Sequence, residues 1–565
     1  MSKLIFVGNF VSPVSLDDLK IANGYICVEN GIVTNLGLKS DLENFMKNTD
    51  LRDFTVKRLT KDQLLMPGLI DCHVHAPQFP NIGLGLDRPL LEWLDTYTFP
   101  LEKQYSNEKF AAEIYDQVVK RLLKNGTTTA CYFGSLDLNG TLELARKVVK
   151  YNQRAFVGKV SMNIPNDAGY YNNTDKEAAE VESFIQEIMA LKNDLIEPIV
   201  TPRFAVSCDE KLLTKLAVLA EKYNCMIQSH ISENLGEIEF VKQINPEALN
   251  YADVYDRSKI LRKKVHLSDT ETKMLAARGV SVAHCPASNT RLRSGLCPLR
   301  RLLDAGLTVG LGTDVSGGDS ATILDAIRRA MDVSTHLEIK GHEGAAITWK
   351  EGLYLATLGG AKDHRIGNFD KGKEFDAILV DVYENSGPID KYSYSIDRTD
   401  DEYIESLLQR FIYLGDDRNI IEVYVKGAER YPEQMYNGPL TSRTGRACRL
   451  VCAILNRFNI MKNDNFLCEV YEKMHLEKIK TKIKEFQVSV RSHHTLTMAA
   501  VGLGGECAGP HSQARSSGHL TRLESERDLR VVEARVSGAV CAQRADADAD
   551  ANAPGPTTRA PTLTT

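Results

Sequence analysis

Short apolar runs alternate with longer stretches whose apolar residues recur at helical spacing. The runs predict strands at 69–75, 127–133, 155–162, 197–204, 226–231, 280–284 and 308–313. The stretches between them predict helices, for example at 110–124, 176–191 and 211–223. Strand followed by helix, repeated, predicts a parallel sheet. Eight such units close a barrel, with catalytic residues at the C-terminal ends of its strands. A further strand belongs between His230 and His284, where a Lys-rich stretch leads only to Val265-His266-Leu267.

Both flanks differ from this middle region. Before residue 67, apolar runs at 5–7, 25–28 and 32–33 are broken by Gly and Asn, which predicts short strands and turns. Further strand-like runs lie at 375–380 and 421–425. From about Tyr436 the pattern changes again. Residues 465–486 carry Leu467, Val470, Tyr471, Met474, Ile479 and Ile483 at the spacing of an amphipathic helix. After Val488 the chain is rich in Ser, Arg, Gly, Ala and Thr, a composition expected to be disordered.

Composition narrows the class of protein. The 565 residues are 43% hydrophobic and 25% charged, ordinary for a soluble globular chain with a sizeable core. A net charge of −6 gives no electrostatic case for nucleic acid or a membrane surface as partner. The longest apolar runs are too short and interrupted to span a bilayer. The 12 cysteines include no Cys-x-x-Cys pair, and the N-terminus reads as no secretory signal. Free thiols in a reducing cytosol are therefore expected.

The densest chemistry sits in Pro67-Gly68-Leu69-Ile70-Asp71-Cys72-His73-Val74-His75. Residues i and i+2 of a strand share a face, so His73 and His75 project together. Two neutral imidazoles aimed at one point suit a divalent transition metal such as zinc. The bland alternative is a chance His-x-His. The apolar lead-in and the Pro-Gly before it favour a buried strand entered by a turn.

This run, continued through Ala76-Pro77-Gln78, resembles the first barrel strand of the amidohydrolase superfamily. Leu90-Leu91-Glu92-Trp93-Leu94 and Tyr97-Thr98-Phe99-Pro100 are similar to the guanine deaminase family within it. So are Thr201-Pro202-Arg203-Phe204, Gln228-Ser229-His230-Ile231-Ser232-Glu233-Asn234, His284-Cys285-Pro286 and Leu311-Gly312-Thr313-Asp314. The resemblance runs from about Lys3 to about Val425. It implies an α/β fold: a distorted TIM (β/α)8 barrel at 67–368, with a small β-sandwich-like domain built from 1–66 and 369–436. Residues 437–565 form a tail with no counterpart in the family, expected to be a read-through or mispredicted exon.

The resemblance also implies a site. One zinc per chain would be held by His73, His75, His230 and Asp314, leaving a position open for water. Glu233 would shuttle protons as general acid and base. Its bland alternative is a glutamate in a helix-capping arrangement, as a helix N-cap is for Asp314. Catalysis would use Glu233, Asp314 and a histidine of the sixth strand, for which His266 is the candidate; the favoured alternative is that His266 is a neighbouring loop histidine left after the catalytic one is lost. Substrate would contact His75, Gln78, Arg203, Phe204, His230, Glu233 and Asp314. A Gln amide both donates and accepts, whereas Arg only donates. Phe204 would pack on a ring face. His284 would act behind the metal or on the substrate side, and Cys285 reads as buried filler, since no base pairs with it.

The implied activity is hydrolytic deamination of guanine to xanthine and ammonia by a cytosolic homodimer. The alternatives are an impaired or inactive chain of the same fold and a sibling aminohydrolase on another heterocycle. Gln78 and Arg203 argue against the sibling, and the retained metal histidines argue against a scaffold. Two departures stand out. Lys263 to Asp269 is shorter than the family pattern and lacks its Ala-His-Gly, and Gly359 to Gly367 is similarly shortened.

Overall fold

The computed structural model describes residues 3–260, 269–361, 365–392 and 399–431. Met1–Thr441 form one compact unit, and every described residue lies in it. Among the described residues no helix is long and apolar enough to cross a membrane. His266, the expected helix at 465–486 and the tail lie outside the described residues.

The middle region is the predicted alternation of strands and helices. Leu69–His75, Thr127–Phe133, Arg154–Gly158, Ile196–Pro202 and Met226–Ile227 pair side by side, all parallel. Ser281–His284 and Thr308–Leu311 form a second parallel pair. The end of that pair returns to the first strand, where the Asp314 N–H donates to the His73 carbonyl at 2.9 Å. First and last strands being neighbours is the arrangement expected of a (β/α)8 barrel. The connecting helices start where side-chain caps satisfy free backbone N–H groups. Asn107 caps Glu108–Lys124, Asp137 caps Leu138–Tyr151, Asn173 caps Thr174–Ala190 and Asp209 caps Glu210–Lys222. Each buries one apolar stripe, such as Tyr115, Val118, Val119 and Leu122 on the first of them.

Several strands end earlier than the apolar pattern predicts. The run at 155–162 is interrupted at Lys159, whose ammonium turns inward to Glu177 at 2.9 Å. The run at 226–231 is a strand only through Ile227, and the run at 308–313 only through Leu311. Past those points the backbone leaves strand geometry. Ser232 (φ 49°) and Asp314 (φ 47°) adopt the left-handed conformation that swings the chain over the strand ends. Past Ile227 the chain turns polar and half-buried through Gln228, Ser229 and His230, whereas Gly312 and Thr313 stay buried beyond Leu311.

A second sheet draws on both flanks. Ile420–Val425 and Ala377–Asp381 pair in series onto Gln63–Pro67, which lies beside Lys3–Pro13, Leu19–Glu29 and Ile32–Leu38. The N-terminal strands are longer than the runs at 5–7 and 25–28 suggest. They pair in register from Lys3 with Glu29 to Pro13 with Leu19, and that ladder carries Gly8 and Asn9 despite their poor strand propensity. Phe6, Phe10, Ile26, Leu65, Phe375 and Tyr424 fill one cluster, with Phe6 and Phe375 stacked at 5.2 Å. At the seam with the parallel strands, Arg154 holds Asp376 at 2.8 Å and Glu374 at 2.6 Å.

Candidate functional site

The strand Leu69–His75 delivers His73 and His75, both buried, to the end of the parallel sheet. Their rings lie 5.0 Å apart, and His230 joins them at 4.8 Å and 5.0 Å. Phe133, at the end of the neighbouring strand, packs against all three rings. Asp314 Oδ1 is 3.3 Å from His73 Nε2 and 3.6 Å from His75 Nε2. The predicted ligand residues, separated by up to 241 positions in sequence, therefore meet at one point.

Close backbone approach makes this possible. A Cβ at Gly312 would fall 2.8 Å from both His73 Cβ and Cys285 Sγ, so only glycine lets the last strand come this near the first. Asp71 ties the same two segments. Its buried carboxylate accepts from Thr313 Oγ1 (2.6 Å), Thr313 N (3.0 Å) and His73 N (3.2 Å).

The donor set fits a metal ion. One nitrogen from each of His73, His75 and His230 lies within 4.8 Å of the others. His230 Nδ1 donates to the Arg203 carbonyl at 2.6 Å, which leaves the Nε2 lone pair facing inward, 3.0 Å from His75 Nε2. Burial pushes the His230 imidazole down to about 3 and His75 well below its usual value, so both rings keep lone pairs near neutral pH. Converging lone pairs beside a carboxylate suit a divalent cation.

Glu233 follows on the irregular segment after His230. Its Oε1 is buried and has no hydrogen-bond partner among the described residues. Burial raises its carboxyl well above the ordinary range, and the charges of Asp314 and Glu237 add to the effect. The capping role belongs to Glu237, which forms a capping box with Asn234 and accepts from the Glu233 N–H at 2.7 Å. Asp314 caps no helix; it sits in a left-handed turn, its carbonyl accepting from Gly318 N at 2.7 Å.

One cavity collects His75, Gln78, Arg203, Phe204, His230, Glu233 and Asp314, walled by Leu90, Trp93 and Leu94. Gln78 and Arg203 are both bound to Glu102, a buried carboxylate that sequence reasoning passed over. The only signal for it was its position just after Phe99-Pro100. Asp71 and Phe133 were also passed over, although Asp71 lies in the motif that carries His73 and His75 and Phe133 ends the predicted strand 127–133. His284 ends the strand Ser281–His284 in the core, where its carbonyl accepts from Gly312 N. Burial pushes the Cys285 thiol well up, consistent with filler rather than a nucleophile.

Comparison with known proteins agrees with this geometry. The model of the amidohydrolase family matches residues 64–429. The chain is 42% identical to guanine deaminase of Rattus norvegicus over 442 residues, covering 76% of this chain and 97% of the relative. It is 42% identical to guanine deaminase of Homo sapiens over 441 residues, covering 76% and 96%. A crystal structure of guanine deaminase from C. acetobutylicum, with guanine bound in its active site, aligns with a TM-score of 0.69 at 32% identity, covering 76% of this chain and all (100%) of that one. The chain belongs to the amidohydrolase family and, within it, to the guanine deaminases.

Proposed function

We infer that this chain hydrolyses guanine to xanthine and ammonia, with one zinc ion held by His73, His75, His230 and Asp314. The observation that carries this reading is the buried Glu233 carboxyl, its Oε1 without a hydrogen-bond partner among the described residues, in one cavity with His75, His230, Asp314, Gln78 and Arg203. When bound, zinc supplies the Lewis-acid chemistry that makes a water molecule nucleophilic near neutral pH.

The chain's own groups do the rest. Gln78 and Arg203 hold the carbonyl edge of the purine, and Phe204 packs against the ring. Leu90, Trp93 and Leu94 exclude bulk water from the reacting atoms. Asp314 orients the attacking water by accepting a hydrogen bond. Glu233 takes a proton from that water and passes it to the ring nitrogen and then the departing amine. Water adds at the carbon bearing the amino group, the C–N bond breaks, and a carbonyl forms as ammonia leaves. His266 is the remaining catalytic candidate, for positioning the water.

We read the working form as a cytosolic homodimer, as the family resemblance implies. The free thiols of Cys27, Cys72, Cys131, Cys208, Cys225, Cys285 and Cys297 fit a reducing compartment. The test is direct: the full chain loaded with zinc should carry about one ion per chain and release xanthine and ammonia from guanine in equal amounts. A chain that holds zinc and yields no xanthine overturns the reading. Turnover of another amino-heterocycle in preference to guanine replaces the substrate.

A further inference from the structure

Glu102 lies on the short helix Phe99–Glu102, away from the converging histidines and outside the lining of the substrate cavity. It is 1% exposed. Its Oε1 accepts from Gln78 Nε2 at 2.9 Å and from Arg203 Nη2 at 3.1 Å, and its Oε2 accepts from Arg203 Nη1 at 2.6 Å. The other end of the Gln78 amide is also held, because the Ser316 N–H donates to Gln78 Oε1 at 3.2 Å. The Arg203 guanidinium is further boxed in by the Phe99 ring at 5.1 Å.

We propose that Glu102 is a positioning residue that makes the substrate edge of this site donor-rich, and so selects a purine bearing a carbonyl over one bearing an amine at that edge. The inference rests on the reading of the site given above and deepens it. An ionised carboxylate only accepts hydrogen bonds, and a backbone N–H only donates. Between those two fixed partners the Gln78 amide has one orientation that satisfies both ends. Its nitrogen faces Glu102 and retains one N–H for a ligand. Arg203 spends two of its five N–H donors on Glu102 and keeps three. Both groups therefore offer donors to whatever enters. Guanine presents a carbonyl oxygen and ring-nitrogen lone pairs to such a surface. A 6-amino analogue such as 2,6-diaminopurine, which keeps the 2-amine that the reaction removes, presents N–H against N–H and leaves buried donors unpaired, which is how a polar site rejects an analogue. Glu102 also offsets the Arg203 charge, so a neutral ring can bind without leaving a lone buried cation.

The test compares guanine with 2,6-diaminopurine, which keeps the reacting 2-amine, for the zinc-loaded wild-type chain, Glu102→Gln and Glu102→Asp. Glu102→Gln keeps the shape but puts an N–H where two donors now meet. Its kcat/KM preference for guanine over 2,6-diaminopurine should fall roughly 10- to 100-fold, the scale of one hydrogen bond to a charged group. The loss should lie mainly in the KM for guanine, with zinc content unchanged. Glu102→Asp keeps the charge and should lose less of the preference. Combining Glu102→Gln with Gln78→Ala should cost less than the sum of the two changes, because the first acts through the second. If Glu102→Gln fails to fold, Glu102→Asp is read alone: it must lower the preference, and an unchanged preference overturns the proposal. Wild-type preference and KM in a folded Glu102→Gln overturn it while leaving guanine deamination standing. A wild-type chain that prefers 2,6-diaminopurine, or takes neither purine, overturns both, and that outcome is read before any variant is made.

Discussion

At the residue scale the proposed mechanism divides work between groups that bind and one that moves protons. Glu233 is suited to the second task because its carboxyl is buried with an oxygen left unpartnered, while its backbone is fixed by Glu237. Glu233→Gln keeps the shape and removes the titration. Turnover of guanine should fall by about 10²–10⁴-fold, the contribution of a placed general acid and base, with zinc content and guanine binding retained. Steady-state kinetics alongside metal analysis checks this, and normal turnover would remove Glu233 from the mechanism. His73, His75, His230, Glu233 and Asp314 were legible in the sequence because each sits in a short motif at the end of an apolar run. Glu102 was not legible. It occupies no motif of its own, and its function depends on Gln78 and Arg203, which approach it only after folding.

At the element scale the parallel strands hold the site by their ends. A cavity of 210 Å³ is lined by Met226 and Ile227 on one strand and by Val282 and Ala283 on another. These two strands flank, in chain order, the Lys263 to Asp269 stretch that is short of the family pattern. A strand advances about 3.3 Å per residue, so losing several residues removes rungs of a ladder that neighbours on both sides would share. The chain as written should therefore turn guanine over more slowly than an intact family member. Restoring an Ala-His-Gly-containing insert between Val265 and His266 should raise its rate. A chain already as active as its relatives would show that His266 serves unaided. The strand ends themselves could not be read from the apolar pattern. Past Ile227 and Leu311 the chain carries polar residues of the site, and Ser232 and Asp314 turn it out of the ladder.

At the scale of the whole molecule, the flanking sheet and the parallel strands are joined by charge as well as by packing. Arg154, at the start of its strand, holds Glu374 and Asp376 with only 13% of its side chain exposed. Arg154→Ala would leave the buried Asp376 carboxylate without its counter-ion. A loss of roughly 3–5 kcal/mol in unfolding free energy is expected, the cost of breaking a buried pair from one side. Denaturant unfolding measures it, and an unchanged midpoint would reduce the contact to a surface pair. Deleting everything after Tyr436 should leave that unfolding transition and guanine turnover intact, since the family match ends at residue 429. A truncated chain that fails to fold would make the tail integral.

The sequence alone determined the alternation of strand and helix and the pairing of His73 with His75 on one strand face. These follow from local physics: a strand has a period of two, a helix of 3.6, and apolar runs mark what is buried. The wider ligand set, with His230 and Asp314, came from the family resemblance. The tertiary structure decided where the strands stop, how far the N-terminal ladder extends and which buried carboxylate meets Gln78 and Arg203. Those outcomes depend on partners far away in the chain. Glu102 meets Arg203 across 101 positions, and Asp71 meets Thr313 across 242. A carboxylate's role is set by the donors brought to it, and no local pattern records which donors those will be.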